Sequence, residues 1–362
     1  MKVAVIIDTW FPFIGGGQIN AWEISKRLSQ KGLKIDIITR NSGKYNLERV
    51  KNLHVYKIGP KSSGSNFVSK ILFLARSFRF VYKRNYDVYH AYVFLPAITA
   101  KLLMLTKKRP AVLSIFGTSI DSDLPGTLRK LMESVILLKI KYSAQIADSR
   151  DLFKFNNINQ DIIYVPNAVD FSAFDRIHVN KYKQPTIITV ARLHPQKNLI
   201  NLVKAIETVQ KRIPQIQLLI VGDGPQKDKI KKQIQELKLN KDVKLLGEIS
   251  GTKLIKLYKS SHLFILPSLY EGQPISLLDA WAAKLPVIIS KTGDCQYLVK
   301  NGVNGYIINN QQNPKNIARS IIEAFGNKNL ENLGLNGYKF VKKNFSWDKS
   351  AQETLLVYKN VI

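Results

Sequence analysis

Two carboxylates, Glu271 and Asp279, stand eight residues apart in the stretch LPSLYEGQPISLLDAWAAKLPVIIS. The apolar run Leu263 to Leu266 reads as a buried parallel strand that Pro267 and Ser268 end, and Ile275 to Ala283 has the apolar spacing of a helix. Glu271 therefore falls in the turn at the carboxyl end of a strand. That edge is where open α/β sheets bind ligands, and a helix N-terminus beside it favours an anionic group. A carboxylate placed there accepts hydrogen bonds from the hydroxyls of a polyol. Asp279 follows on the same helix, within reach of the same extended ligand. Taken alone, the pair favours a plainer reading: two solvent-facing acids, one before a helix and one along it.

The elements around them form a repeating pattern. In the first half, Val3 to Ile7, Lys34 to Thr39, Val88 to Ala91, Ala111 to Phe116, Ala144 to Ala147 and Ile162 to Val165 read as strands, with a helix near Ile19 to Gln30. In the second half, Thr186 to Val190, Gln217 to Val221, Lys244 to Leu246, Leu263 to Leu266, Pro286 to Ile289 and Gly305 to Ile308 repeat the rhythm. Short apolar runs alternating with amphipathic stretches predict parallel sheets. A length of 362 residues suits two domains. The expected division is 1–175, 176–344 and a final helix over 345–362, with Ser346 as its N-cap candidate.

Composition narrows the class further. With 45% hydrophobic and 22% charged residues the chain is an ordinary globular one. No segment approaches the roughly 20 uninterrupted apolar residues of a membrane span. The opening MKVAVIIDTWF runs straight into a strand without signal-peptide regions, so a cytoplasmic location is expected. Cys295 is the single cysteine, which excludes an intramolecular disulfide and a cysteine-based metal site.

The net charge of +29 asks for an explanation, and its distribution supplies one: +14 over residues 1–180 and +15 over 181–362. The second half holds 25 lysines and only 3 arginines, scattered over helix faces such as Lys227, Lys229, Lys231 and Lys232. Solvated faces fit this better than a nucleic-acid groove, and no nucleic-acid partner is expected. The stretch Ser65 to Arg84 reads first as a core helix with a basic outer face. Its other reading is a helix lying on anionic lipid, and Leu102 to Arg109 and Leu128 to Lys141 are similar in kind.

Pro267, Ser268, Glu271, Gly272, Pro274, Leu278, Asp279, Ala280, Ala282, Pro286, Val287, Ile288 and Ser290 together resemble the donor-site signature of GT-B glycosyltransferases, in the large retaining group that includes family 4. Ala191, Arg192 and Lys197 resemble that family's G-R-x-x-x-x-K segment, with alanine in place of glycine. Pro12 to Gln18 is similar to its P-x-x-G-G loop, Val221 to Pro225 to its V-G-x-G-P loop, and Val165 to Asp170 to its V-P-N-x-V-D segment.

The resemblance implies a fold of two Rossmann-like domains facing across a cleft, with the last helix crossing back to the first domain. It implies transfer of a hexosyl or N-acetylhexosaminyl group from a nucleotide diphosphate sugar, UDP- or GDP-linked, to a glycan or lipid-linked acceptor in surface polysaccharide or glycoconjugate synthesis. Catalytic roles fall to Arg192, Lys197 and Glu271. Arg192 and Lys197 would stabilise charge on the leaving diphosphate, a kind of contact whose loss costs ~3 kcal/mol or more in the barrier. Donor binding falls to Gly16, Gly17, Gly222, Gly224, Gly272, Gln273, Pro274, Ile275 and Asp279, and acceptor-side roles to Phe116 and Asp121. No metal ligand and no cofactor are expected. An anionic membrane surface is the further partner, which would place the protein peripherally on the inner face of the cell membrane.

Departures from the family pattern leave other readings open. Phe116, Gly117, Thr118 and Ser119 replace the usual His-Gly-x-Asp, and Tyr297 stands where an acid is common. They permit a non-catalytic GT-B protein that binds carbohydrate or a polyanion. A nucleotide-sugar epimerase or hydrolase would need water-activating groups in the first domain.

Overall fold

The structure is a computed structural model that describes residues 1–12, 15–43, 47–61, 67–116, 120, 127–155 and 162–362, the side chains of Phe67, Thr127 and Arg129 excepted. The central strands of both halves, such as Val3–Ile7 and Leu263–Leu266, are rich in β-branched residues and leucine and are buried on both faces, as parallel strands covered by helices are. Contacts divide the chain into two units. Met1–Asn167 and Trp347–Ile362 make the first, Ala168–Ser346 the second, so the joins fall after Asn167 and Ser346 rather than at 175 and 344.

In the first unit, the described residues form strands β1 (Lys2–Ile7), β2 (Lys34–Arg40), β3 (Leu53–Ile58), β4 (Val88–Tyr92), β5 (Ala111–Ile115), β6 (Ala144–Ala147) and β7 (Ile162–Tyr164), with helices α1 (Gly16–Gln30), α2 (Phe67–Tyr82), α3 (Phe94–Lys107) and α4 (Thr127–Lys139). The sheet is parallel in the order β3-β2-β1-β4-β5-β6-β7. Connectivity reverses between β1 and β4. Right-handed crossovers put α1 on one face and α2, α3 and α4 on the other. Ala4, Ile6, Ile38, Ala91, Leu113 and Ile115 carry the core between sheet and helices.

The second unit begins at α5 (Phe171–Asp175) and contains β8 (Thr186–Val190), α6 (Leu199–Gln210), β9 (Gln217–Val221), α7 (Lys227–Glu236), β10 (Val243–Gly247), α8 (Gly251–Ser260), β11 (Leu263–Leu266), α9 (Ile275–Ala282), β12 (Val287–Ser290), α10 (Cys295–Leu298), β13 (Tyr306–Ile308), α11 (Pro314–Gly326) and α12 (Leu330–Asn344). Its strands are also parallel, ordered β10-β9-β8-β11-β12-β13. Here the reversal lies between β8 and β11. Helix α6 shows why these segments fold as they do. Leu199, Leu202, Val203, Ile206 and Val209 fall on one stripe and are buried against Ile187, Leu218 and Ile220. Each fully buried aliphatic side chain contributes about 1.5–3 kcal/mol.

The chain ends in α13 (Trp347–Val361), which packs on α1 within the first unit. Its attachment is polar as well as apolar. Ser350 Oγ donates to the Pro166 carbonyl at 2.8 Å, and Tyr358 Oη lies 2.6 Å from His90 Nδ1 under the sheet. Asn167, in the V-P-N-x-V-D segment, accepts from Asn20 Nδ2 at 2.9 Å and donates to Asp148 at 3.2 Å. That segment is thus a buried brace for the first unit. Among the described residues no helix is long and apolar enough to cross a membrane.

Candidate functional site

Arg192, Lys197 and Glu271 all sit at the carboxyl ends of β8 and β11, the two strands between which the second sheet reverses direction. Beyond β8 the chain turns sharply: Leu193 is buried and donates its N–H to the Asp223 carbonyl at 2.9 Å, while Arg192 stays exposed. Pro195–Lys197 forms a 3-10 turn capped by His194, and Asn198 takes a left-handed conformation before α6. Both cations thus precede α6. Held in a turn, Lys197 projects toward the neighbouring strand end.

There it meets Glu271. Lys197 Nζ lies 2.6 Å from Glu271 Oε1, and the Glu271 side chain is only 7% exposed. Backbone contacts fix the two loops together, since Leu269 N–H donates to the Gln196 carbonyl at 2.8 Å and Gln196 Nε2 donates to the Tyr270 carbonyl at 2.9 Å. The facing ammonium offsets the cost of enclosing this carboxylate. Pro274 caps α9 without a side-chain hydrogen bond, and no acidic residue occupies the helix's first turn. The loop Gly272, Gln273, Pro274 and Ile275 therefore ends on backbone amides that can receive an anionic or hydroxyl oxygen.

Asp279 lies on α9, as expected. It keeps a minor part of its surface exposed, yet its carboxyl group is enclosed and desolvation raises its pKa to about 7. The ionised form is therefore held at a cost in the free protein. Hydrogen bonds from a ligand's hydroxyl pair would relieve that cost.

Gly222 and Gly224 have φ of +135° and +154°. A Cβ at Gly222 would stand 2.0 Å from the Ala191 carbonyl oxygen, and one at Gly224 2.6 Å from that of Leu193. Their space is taken by the backbone of the Arg192 loop, which their close approach holds in place. Gly293 does the same for the acid: at φ +51° its Cβ would fall 2.2 Å from the Glu271 carbonyl oxygen. Next to it Asp294 is fully buried, accepting from Gln273 Nε2 at 2.9 Å and donating its N–H to the Gly272 carbonyl at 3.0 Å. Neither Gly293 nor Asp294 is among the site residues expected from the sequence. The signal was the glycine-acid pair one strand beyond Glu271. Tyr297, by contrast, is exposed.

In the first unit, Gly16 and Gly17 lie inside the first turn of α1 rather than in a free loop, with Gly15 as N-cap and no side-chain cap. A Cβ on Gly17 would make ordinary contact with Phe116 at 3.7 Å and Val93 at 3.9 Å. Phe116 stacks on Tyr92, ring centroids 5.6 Å apart and planes 17° apart. Val93, a β-branched residue at φ +69°, is strained beside them, and nothing in the sequence signals it. His90 lies beneath, fully buried between Tyr358 and Ser114 Oγ at 2.7 Å, and burial lowers its pKa to about 3. It is a neutral brace and does not replace the family histidine missing at Phe116. Asp121, with Asp123, Gly117, Thr118 and Ser119, lies outside the described residues. Among the described residues no three His, Cys, Asp or Glu side chains converge to hold a metal ion.

Known proteins resemble the chain over nearly its whole length. The family described as glycosyl transferases group 1 matches residues 170–340, and that described as glycosyl transferase 4-like matches residues 13–150. An uncharacterized glycosyltransferase of Methanocaldococcus jannaschii is 27% identical, the match spanning 99% of this chain and 98% of the relative. The UDP-Gal:alpha-D-GlcNAc-diphosphoundecaprenol alpha-1,3-galactosyltransferase of Escherichia coli is 23% identical over 94% of this chain and 95% of its own. Among solved structures, sucrose-phosphate synthase of Thermosynechococcus elongatus superposes with a TM-score of 0.86 at 20% identity, covering 99% of this chain and 98% of that one. Anabaena HepE, solved in complex with UDP and glucose, gives 0.79 at 16% identity, covering 99% and 100%. The two structures share the GT-B fold with this chain.

Proposed function

We propose that this chain, a GT4-like glycosyltransferase of the GT-B fold and a hexosyltransferase, moves a hexosyl or N-acetylhexosaminyl group from a UDP- or GDP-sugar to a hydroxyl of a glycan or lipid-linked acceptor, with retention of anomeric configuration. The observation that carries this reading is the Lys197–Glu271 pair, 2.6 Å apart beside the exposed Arg192 at the strand reversal of the second unit.

As the bond from the sugar carbon to the diphosphate breaks, negative charge grows on the departing oxygen. Arg192 and Lys197 stand where cations would lower the energy of that charge. A diphosphate competes with Glu271 for Lys197, and the carboxylate so released accepts hydrogen bonds from the sugar hydroxyls. Asp279 receives the ribose hydroxyls in this reading, and the backbone N–H groups of Gly272 and Ile275 donate to oxygen atoms of the donor. Gly16 offers a backbone amide to the donor or acceptor, and Phe116 lies on the acceptor side.

The two cations take the place of a divalent ion, so the reaction is metal-independent. A relative that takes UDP-galactose supports the donor class. Its lipid-diphosphate acceptor supports a lipid-linked one, met at the inner face of the cell membrane in the synthesis of surface polysaccharide. The test is release of nucleotide and formation of a glycosylated product from UDP- and GDP-sugars, with and without chelator. Turnover unchanged by chelator is expected. Turnover abolished by chelator and restored by Mg²⁺ or Mn²⁺ would contradict the cationic reading.

A further inference from the structure

Helices α2, α3 and α4 lie side by side on one face of the first sheet, α2 against α3 and α3 against α4. Their inner stripes are buried in the core, with Phe73 and Val81 on α2, Leu103 on α3 and Leu137 on α4. An ordinary surface helix turns polar on its opposite side. These do not. Val68 and Ile71 on α2, Leu102 and Leu105 on α3, and Leu128 and Leu131 on α4 are all exposed, Val68 63%, Leu105 60%, Leu128 74% and Leu131 61%. Within each helix the exposed pair is three residues apart, so it forms one outward stripe. Large apolar side chains on three adjacent helices make a surface that water does not favour.

Among the described residues of the three helices and their ends, the exposed charges have one sign. Arg76 and Arg79 on α2, Lys83 just past it, Lys108 just past α3 and Lys139 on α4 are exposed. The three helices contain a single acidic residue, Glu133, and it is fully buried. A second copy of the chain is a poor occupant, because a twofold contact would oppose the two basic sets. An interface that accepts apolar side chains and attracts lysine and arginine at its edge is the boundary of an anionic bilayer.

We propose that the outer face of α2, α3 and α4 docks on an anionic lipid bilayer, the apolar stripes entering the headgroup boundary and the basic residues meeting lipid phosphates. The face is distinct from Arg192, Lys197 and Glu271, so its failure leaves the nucleotide-binding tests untouched. It adds a means by which a transferase would be held where lipid-linked sugars are.

The experiment is flotation of the full chain with vesicles of phosphatidylcholine alone and of phosphatidylcholine mixed with phosphatidylglycerol, at low and high salt. Binding to the anionic vesicles alone, weakened by salt, is expected. The double variant Leu105→Asp with Leu131→Asp should lose roughly tenfold or more of that affinity. Both sites are exposed, so its melting temperature should match the parent's. No flotation with anionic vesicles, or flotation undiminished in the double variant, would overturn the proposal. So would dimerisation that the double variant abolishes in a chain without vesicle affinity, which would make the face a contact between copies.

Discussion

The two sheets reverse direction by the same topology, yet the two reversal points are furnished in opposite ways. In the second unit the strand ends carry Arg192, Lys197 and Glu271, with Asp279 on the helix that follows. In the first unit the corresponding edge carries Gly15, Gly16 and Gly17 after β1 and strained Val93 after β4, with the Phe116–Tyr92 stack beside them. The charges of that edge are spent on each other, since Arg40 Nε and Nη2 hold the two Asp8 carboxylate oxygens at 3.0 and 3.3 Å. His90 below is neutral. A shared backbone solution thus leaves function to the side chains at the switch. The second edge suits a diphosphate and hydroxyls, and the first offers backbone amides and an aromatic surface.

The comparison is broken most forcefully by removing the charged pair. Lys197→Ala and Glu271→Ala should each lower kcat by about 10²–10³, and the double variant should fall short of the product of the two losses, because each single change already strands the other partner. Initial rates at saturating donor measure this. Phe116→Leu, at the first edge, should leave nucleotide affinity unchanged while altering the acceptor KM.

A smaller effect follows from Asp279. Its pKa of about 7 in the free protein should fall once ligand hydroxyls donate to its carboxylate. Binding then releases a proton, and affinity should fall by up to about tenfold for each pH unit below 7. Calorimetric titration of nucleotide across pH would detect this. Stability has the opposite dependence. The folded pKa lies above the unfolded one, so the fold holds the proton more tightly and loses stability as pH rises through 7. Asp279→Asn should melt higher than the parent at pH 8 and bind nucleotide more weakly.

The smallest effects sharpen the contrast between glycines. Gly293→Ala sets a Cβ 2.2 Å from the Glu271 carbonyl oxygen at positive φ and should cost about 1–3 kcal/mol. Gly17→Ala meets nothing closer than 3.7 Å inside a helix and should gain about 0.5–1 kcal/mol. Melting temperatures should therefore move in opposite directions. If Gly17→Ala stabilises the fold and also cuts turnover, a ligand approaches that backbone closely.

Much of this was legible in the sequence because local chemistry carries it. The strand at Leu263 to Leu266, stopped by Pro267, and the helical spacing after Ile275 put Glu271 at a strand end, and Glu271 is there. The motif residues Arg192 and Lys197 were likewise found on the turn after β8. What escaped depended on partners distant in sequence. The positive φ of Val93, the burial of Asp294 under Gln273 and the crowding of Gly222 by Ala191 arise from tertiary contact. Local patterns carry no trace of them. Asn167, at the end of the first unit's main segment, is bound by Asn20 and Asp148, contacts that periodicity cannot foresee.

The most direct test of the account is the melting temperature of the purified chain with UDP, GDP, ADP and their sugars, in parent and Arg192→Ala. A ligand that binds only the folded state raises it. The account predicts a shift selective for one base, reduced or abolished in Arg192→Ala. No shift with any nucleotide, or one equal in both proteins, would contradict a donor site built on Arg192, Lys197 and Glu271.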